Sequence, residues 1–241
     1  MREINNYQKW SFLSTIIACV IFIVFTIIAI YFYPGGSRYT SDSDGYIFTE
    51  TFLSDLGRTI SISGEDNTIS RIFFTTAFVL LGVTAINFNI SLFLFFRNKE
   101  WKIKIIAYIG VILGIISAIL FCLVALFPVD LFSKVHHSTL YSGAPIKFLS
   151  FLFFTIALFM TNELPKTIKF FTLNVVIFYL LFAISILIGM LIERRTMWGI
   201  IIIGHPIGIL SEIIAFISIA IILLKDSFKK GNLPTTIDKK A

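Results

Sequence analysis

The sequence predicts an all-α, polytopic integral membrane protein, a six-transmembrane-helix bundle with one long extracytoplasmic loop. Of its 241 residues 57% are hydrophobic and only 14% are charged, whereas a soluble domain carries about 25% charged residues. Six mostly apolar runs are each long enough to cross a hydrocarbon core about 30 Å thick. These runs fill most of the chain, so we expect a single membrane domain over residues 1–241.

The six predicted spans determine the topology. They cover about residues 10–33, 71–96, 103–127, 139–161, 168–192 and 197–224. An even number of spans returns both ends to one side, and 13 of the 20 Lys and Arg residues fall there; the other seven are Arg38, Arg58, Arg71, Lys134, Lys147, Arg194 and Arg195. The positive-inside rule therefore predicts a cell-membrane protein with cytoplasmic termini, an extracytoplasmic loop at 34–70 and a cytoplasmic tail at 225–241.

The long loop holds a polar segment, TETFLSDLGRTIS at 49–61. Its apolar residues and those just before it predict one side of a short helix at the membrane interface, formed by Tyr46, Phe48, Phe52, Leu53 and Leu56. Gly57 is expected to end this helix, and Asp55 and Arg58 share one side of it at i, i+3. We expect the segment to fold over the mouth of the bundle, where both charged side chains meet the polar residues of the other outer loops.

Two other outer segments deliver polar groups to the same side, FPVDLFSKVHHSTLY at 127–141 and ERR at 193–195. Together with the long loop they supply four candidate catalytic acid–base or metal-ligating groups, Asp55, Asp130, His136 and His137. Guanidinium groups pair bidentately with phosphate, so the candidate lipid-phosphate ligands are Arg58, Arg194 and Arg195. The same charges also fit a structural latch that closes the bundle.

Few ionisable residues lie within the spans, and such residues usually face a bundle interior. His205 and Glu212 are seven residues apart and share a helix face roughly 10 Å apart along the axis. Lys147 is a third intramembrane candidate, and we expect Glu212 to lie near it or near Asn87 or Asn89. Asn87, Asn89 and Asn174 are predicted to make interhelical hydrogen bonds, and Gly110-x-x-x-Gly114 and Gly204-x-x-x-Gly208 predict close helix packing.

Several short motifs resemble those of an uncharacterised family of six-span membrane proteins, domain of unknown function 998. They are YPGG at 33–36, FLSDLGRT at 52–59, NTIS at 67–70, and FPVD at 127–130 followed by His136 and His137. The likeness runs from about Trp10 to Leu224. The family is distantly similar to membrane proteins that remodel GPI-anchored lipids and to autophagy modulators. The resemblance implies a bundle of about six helices and no particular reaction.

Three functions remain open. The first is binding of a lipid headgroup, or membrane assembly, at the extracytoplasmic face. The second is a lipid-modifying hydrolase or transferase that uses the Asp and His groups of the outer loops, and the third is a transporter or proton-linked device using His205 and Glu212. The expected partners are membrane lipids and not nucleic acid, because topology accounts for the basic residues. Walker, GxSxG and HExxH motifs are absent from the sequence, which names no protein partner, cofactor or metal.

Overall fold

A computed structural model describes residues 4–162 and 164–231, without the side chains of Arg194 and residues 226–231. Six helices, each long and apolar enough to cross a membrane, account for most of this part of the chain. They are α1 (Asn6–Tyr31), α2 (Thr68–Phe96), α3 (Trp101–Leu126), α4 (Ser133–Phe159), α5 (Lys166–Ile192) and α6 (Arg194–Gly231). The predicted all-α, six-span architecture is therefore confirmed.

The helices form a closed ring. Each packs against its neighbours in chain order, most extensively α3 against α4, and α6 also packs against α1. A row of aromatic rings crosses the interior of this ring, with centroid separations of 5.8 Å for Phe12–Phe88, 4.9 Å for Phe88–Phe216 and 6.0 Å for Phe151–Phe216. These contacts join α1, α2, α4 and α6 and form the centre of the core.

The predicted small-residue motifs lie at helix contacts. A Cβ added at Gly110 of α3 would lie 2.9 Å from the backbone nitrogen of Phe154 on α4, so only glycine permits this approach of the two helices. On α6, Gly204 and Gly208 face aromatic rings of α5 instead, those of Phe182 and Phe178. The Gly204-x-x-x-Gly208 motif therefore makes room for aromatic rings of α5 and does not bring two helix backbones together.

The connections lie on two opposite faces. The loop face comprises residues 32–67, 127–132 and 193, and the terminal face comprises residues 97–100, 160–162 and 164–165 with the starts of α1, α3 and α5 and the end of α6. Residues 232–241 of the predicted tail lie outside the described residues. The expected short helix is a 3-10 helix at Leu53–Gly57. It ends at Gly57 as predicted.

The predicted apolar side of that short helix is only partly correct. Leu53 and Leu56 are buried in the core that α1 and α2 form near the loop face. Tyr46 and Phe48 are not helical, and Phe48 is 64% exposed. Turns within 41–50 precede the 3-10 helix. The Ile47 carbonyl closes a single turn with the backbone nitrogens of Glu50 and Thr51, and the Ile47 nitrogen donates to the Thr51 hydroxyl and not to a preceding carbonyl, so the turn does not continue as a helix.

Two helix boundaries on the loop face differ from prediction. α4 begins at Ser133, so His136 and His137 are helical and not part of a loop, and α6 begins at Arg194 immediately after Glu193. The physical reason is that the rim of a bundle is wet. Polar side chains at the rim reach water while the backbone stays helical. The His136 backbone nitrogen, for example, donates a hydrogen bond of 2.9 Å to the Phe132 carbonyl.

Candidate functional site

Asp55 and Arg58 pair with each other at the end of the 3-10 helix. The Asp55 Oδ1 lies 3.7 Å from an Arg58 guanidinium nitrogen, and Oδ2 accepts a hydrogen bond of 3.0 Å from the Phe52 backbone nitrogen. Asp55 is only 6% exposed. Burial raises the pKa of its carboxyl to about 6, against the opposing effect of Arg58. The carboxylate therefore caps and fixes its own turn.

Asp130 binds the segment that follows Arg58. Its carboxylate accepts hydrogen bonds from the backbone nitrogens of Thr59 and Ile60, at 2.9 and 3.1 Å, and from the Thr59 hydroxyl. Partial burial acts to raise the pKa of Asp130, but the hydrogen bonds from Thr59 and Ile60 outweigh it and lower the pKa below its usual value. This carboxylate fastens the long loop to the α3–α4 connection.

The two histidines do not join this group. The His136 side chain is 2% exposed, and its Nδ1 lies 2.9 Å from the Phe127 carbonyl oxygen. His137 Nδ1 lies 2.7 Å from the carbonyl oxygen of Ser133, one turn earlier in α4. Both rings thus bind backbone of their own hairpin. Of the alternatives predicted to meet Asp55 and Arg58, neither histidine makes a hydrogen bond or ion pair with them in the described part of the chain, because His136 binds the Phe127 carbonyl and His137 the i−4 carbonyl of its own helix.

Aromatic contacts tie the long loop to the start of α6. The Arg38 guanidinium lies 3.9 Å from the ring centroid of Trp198 and 5.6 Å from that of Phe52. Tyr39 donates a hydrogen bond to the Arg195 carbonyl, and the Arg195 guanidinium lies 4.7 Å from the Tyr39 ring. The Arg194 side chain lies outside the described residues.

The candidate groups of the loop face that the structure describes all contact other residues of the chain, which fits the latch alternative. Arg58 Nε donates to the Ile60 carbonyl at 3.0 Å, and the Ile60 nitrogen donates to Asp130. Arg58 and Asp130 thus bind the same residue without contacting each other. The three outer segments do contact one another, but the bonds between different segments join side chains to backbone groups, and no two charged side chains of different segments pair in the described part of the chain.

A second polar group lies in the middle of the bundle. The Lys147 ammonium of α4 lies 3.1 Å from Oε2 of Glu212 on α6, and the hydroxyl of Tyr179 on α5 donates to Oε1 of the same carboxylate. The side chains of Lys147 and Glu212 are 15% and 8% exposed. The expectation that Glu212 faces the interior beside Lys147 is confirmed, and three helices are joined at this point.

Phe121 of α3 separates His205 from this pair. The Lys147 ammonium lies 3.6 Å from the Phe121 ring centroid, and the His205 ring stacks on Phe121 at 6.5 Å. His205 and Glu212 make no hydrogen bond with each other within the described part of the chain. His205 and Glu212 keep the predicted seven-residue spacing on α6. The groups that contact the Glu212 carboxylate, however, are Lys147 and Tyr179.

An internal cavity adjoins the ion pair. It holds about 80 Å³ and is bounded by α2, α3, α4 and α6. Its walls are mostly apolar, and its polar boundary residues are Asn89, Ser117, Lys147, Ser150 and Glu212. A single water needs roughly 10–15 Å³ of such a cavity, so there is room for several waters or for the small polar head of one ligand.

The asparagines differ in how far they follow prediction. Asn87 accepts a hydrogen bond of 3.3 Å from Tyr7 and joins α2 to α1 as expected. Asn89 and Asn174 donate to carbonyls of their own helices, those of Ala85 and Phe170, so their predicted interhelical bonds are wrong. The amide nitrogen of Asn89 makes this bond. The Oδ1 of Asn89 has no hydrogen-bond partner among the described residues.

Sequence reasoning missed two members of the central site, Tyr179 and Phe121. Phe121 gives no signal in a chain with 27 phenylalanines. Tyr179 does give one, because tyrosine in a span normally lies at the membrane interface and this residue is 13 positions from either end of α5. Among the described residues, no group of three or more His, Cys, Asp or Glu could hold a metal ion.

The fold and the central site define a class: a multi-pass membrane protein with a mostly apolar cavity, and an ion pair in the cavity wall, inside a ring of six helices. Comparisons of the chain with models of known protein families, with curated proteins and with solved structures give no match. The resemblance to domain of unknown function 998 thus stays a prediction.

Proposed function

We propose that this chain is a membrane protein that binds a lipid-like amphiphile in the cavity between α2, α3, α4 and α6. The observation that carries this proposal is the Lys147–Glu212 ion pair in the wall of a mostly apolar cavity. The pair would hold the polar head of the ligand, and the phenylalanine-rich walls would contact the first carbons of its tail, since a cavity of about 80 Å³ is too small for a whole alkyl chain. The binding place is inside the bundle and not at the loop face, where the polar groups are already paired.

Energetics support a functional role for the pair. Charged groups at the middle of a membrane are costly, and a buried ion pair is often no more stable than apolar residues of the same volume. Apolar side chains at positions 147 and 212 would also fill space that now lies open beside them. The latch on the loop face then has a structural task, which is to hold the ring of helices closed around the cavity.

We also propose that the chain lies in the cell membrane with both termini in the cytoplasm. The six helices support an even number of crossings. The basic residues of the terminal face, among them Lys9, Arg97, Lys102 and Lys166, support a cytoplasmic terminal face through the positive-inside rule.

Filling the cavity tests the proposed function. Ala85 lines the cavity, whereas Ala183 lies on the exposed side of α5. We expect Ala85→Leu to lower the amount of lipid-like molecule that co-purifies with the protein in nanodiscs made from native membrane, as measured by mass spectrometry. Ala183→Leu adds the same side chain toward lipid and should leave the amount unchanged. Equal ligand content in both variants and the wild type would refute binding in the cavity.

A proton-linked transporter is the second candidate function, supported by the Tyr179–Glu212–Lys147 chain of contacts. In proteoliposomes carrying an internal pH-sensitive dye, this function predicts substrate-dependent proton movement that Tyr179→Phe reduces. Tyr33→Phe on the loop face is the matched control, since its hydroxyl binds only loop backbone. No difference between these two variants would exclude the Tyr179 hydroxyl from such a path.

A further inference from the structure

We infer that the head of the bound molecule is uncharged and carries a hydroxyl-type O–H group, as in a long-chain alcohol or a protonated long-chain acid. This inference rests on the proposed function, because it names the class of molecule that the cavity would take. It follows from the charge balance of the cavity wall and from two hydrogen-bonding atoms that lack partners.

The charge of the cavity wall is already balanced. Lys147 and Glu212 are the only charged residues that line it in the described part of the chain, and they pair at 3.1 Å. A charged ligand head would have to break this pair or stay unpaired. An isolated charge in an apolar interior costs far more than a neutral polar group does. The wall therefore favours a neutral head.

The wall also offers one acceptor and one donor. An ammonium group has three N–H donors. That of Lys147 uses one on Glu212 and places another against the face of Phe121, so at least one is open. Asn89 is 8% exposed, and its Oδ1 accepts no hydrogen bond from any described residue. An O–H group satisfies both, since it donates to Asn89 Oδ1 and accepts from Lys147.

Asn89 and Lys147 face the same cavity. Asn89 Oδ1 lies in front of Gly114, where an added Cβ would overlap it and would lie 2.9 Å from Ser150 Oγ. Ser150 is three residues after Lys147 on α4, so the two residues are neighbours on one helix face. The missing side chain at Gly114 leaves the room that the Asn89 amide occupies, so Asn89 Oδ1 comes close to α4 at the cavity wall.

The remaining walls suit an alkyl chain. They are formed by phenylalanines and aliphatic residues of all four helices, including Phe78, Phe88, Phe121, Phe154 and Ile219. None of these side chains offers a strong hydrogen-bonding group, so a second polar group on the ligand would lose its hydrogen bonds to water. A single polar head on an apolar tail is the chemistry that this arrangement matches.

Photolabelling with matched probes tests the inference. Three probes share an alkyl tail with a diazirine on a carbon next to the head and carry a hydroxyl, a methyl ether or a sulfate ester as head. Labelling is carried out on the full chain in nanodiscs, and labelled peptides are assigned by mass spectrometry. We expect the alcohol to label the cavity-lining parts of α2 and α6 roughly tenfold more than the ether does, because the ether cannot donate to Asn89.

Variants at two neighbouring asparagines provide the control. Asn89→Leu should reduce labelling by the alcohol to the level of the ether, whereas Asn87→Leu should not, since Asn87 bonds to Tyr7 and does not line the cavity. If Asn89→Leu fails to fold, the comparison of probes on the wild type still decides the question.

The outcomes separate this inference from the proposed function. Equal labelling of the cavity by alcohol and ether, or stronger labelling by the sulfate ester, would overturn the neutral O–H head while leaving binding in the cavity intact. No labelling of the cavity by any probe would overturn both and would indicate a cavity occupied only by water. Selective labelling by the alcohol that depends on Asn89 would support both.

Discussion

Removal of one charge of the central ion pair should destabilise the protein more than removal of both. Glu212→Gln keeps an oxygen that accepts from Tyr179, so it isolates the loss of charge opposite Lys147. Both side chains are at least 85% buried, and breaking such a pair costs about 3–5 kcal/mol because one charge stays uncompensated. Lys147→Met should cost a similar amount. The double variant carries neither charge and should lose less than either single variant.

Unfolding in mixed micelles measures this cycle. The protein is titrated with sodium dodecyl sulfate, helix content is followed by circular dichroism, and free energies of unfolding are compared at one detergent composition. Lys102→Met is the control, because Lys102 lies exposed on the terminal face and should change stability by no more than about 0.5 kcal/mol. A double variant whose loss equals the sum of the single losses would refute the pairing.

Four further predictions follow from the latch, the cavity and the topology. Asp130→Ala should lower stability by about 1–3 kcal/mol and expose the long loop to limited proteolysis, because three donors lose their acceptor. The pKa of Asp55, about 6 when folded, lies above its ordinary value of 3.8, so stability should fall by about 3 kcal/mol as pH rises from about 4 to about 6, and Asp55→Asn should remove this dependence in unfolding titrations. Gly114→Ala should cost about 1–3 kcal/mol by overlap in the cavity wall, measured by the same unfolding. In a chain without its native cysteines, Ser43→Cys should react with an impermeant thiol reagent from outside intact cells, and Asn98→Cys should not.

Matched variants make these predictions specific. Asp42→Ala removes an exposed carboxylate of the same loop and should leave both stability and proteolysis unchanged. Gly199→Ala adds a methyl group on α6 where no atom lies within 4 Å, so it should not destabilise. A wild-type protein whose stability does not vary between pH 4 and pH 6 would contradict the burial argument for Asp55. Labelling of Asn98→Cys from outside would reverse the orientation.

The six spans were predictable because length and apolarity alone decide whether a helix can cross a membrane. The ends of α4 and α6 on the loop face were not. Ser133–His137 and Arg194–Arg195 have the composition of a loop, yet they continue helices at a wet rim. Hydropathy detects the hydrocarbon region and not the hydrogen bonds that extend a helix beyond it.

The central site was partly predictable for an equally physical reason. Ionisable residues deep in a span must find partners, which identified Glu212 and Lys147. Apart from Arg58 and the Thr59 hydroxyl, the partners of Asp55 and Asp130 are backbone nitrogens of Phe52, Thr59 and Ile60. Every residue other than proline carries such a donor, so the sequence cannot indicate which ones a carboxylate will bind. For this reason the outer residues resembled a chemical site in the sequence and form a latch in the structure.

The closed ring has a consequence for biogenesis. The ribosome delivers α4, with Lys147, before α6, with Glu212, so a nascent chain of five spans holds its lysine at mid-membrane without the carboxylate. Arrival of α6 supplies that counter-charge, closes the ring against α1 and completes the fourth wall of the cavity. A chain truncated before the last helix would keep the Lys147 charge without its counter-charge, so we expect it to be degraded faster than the full chain.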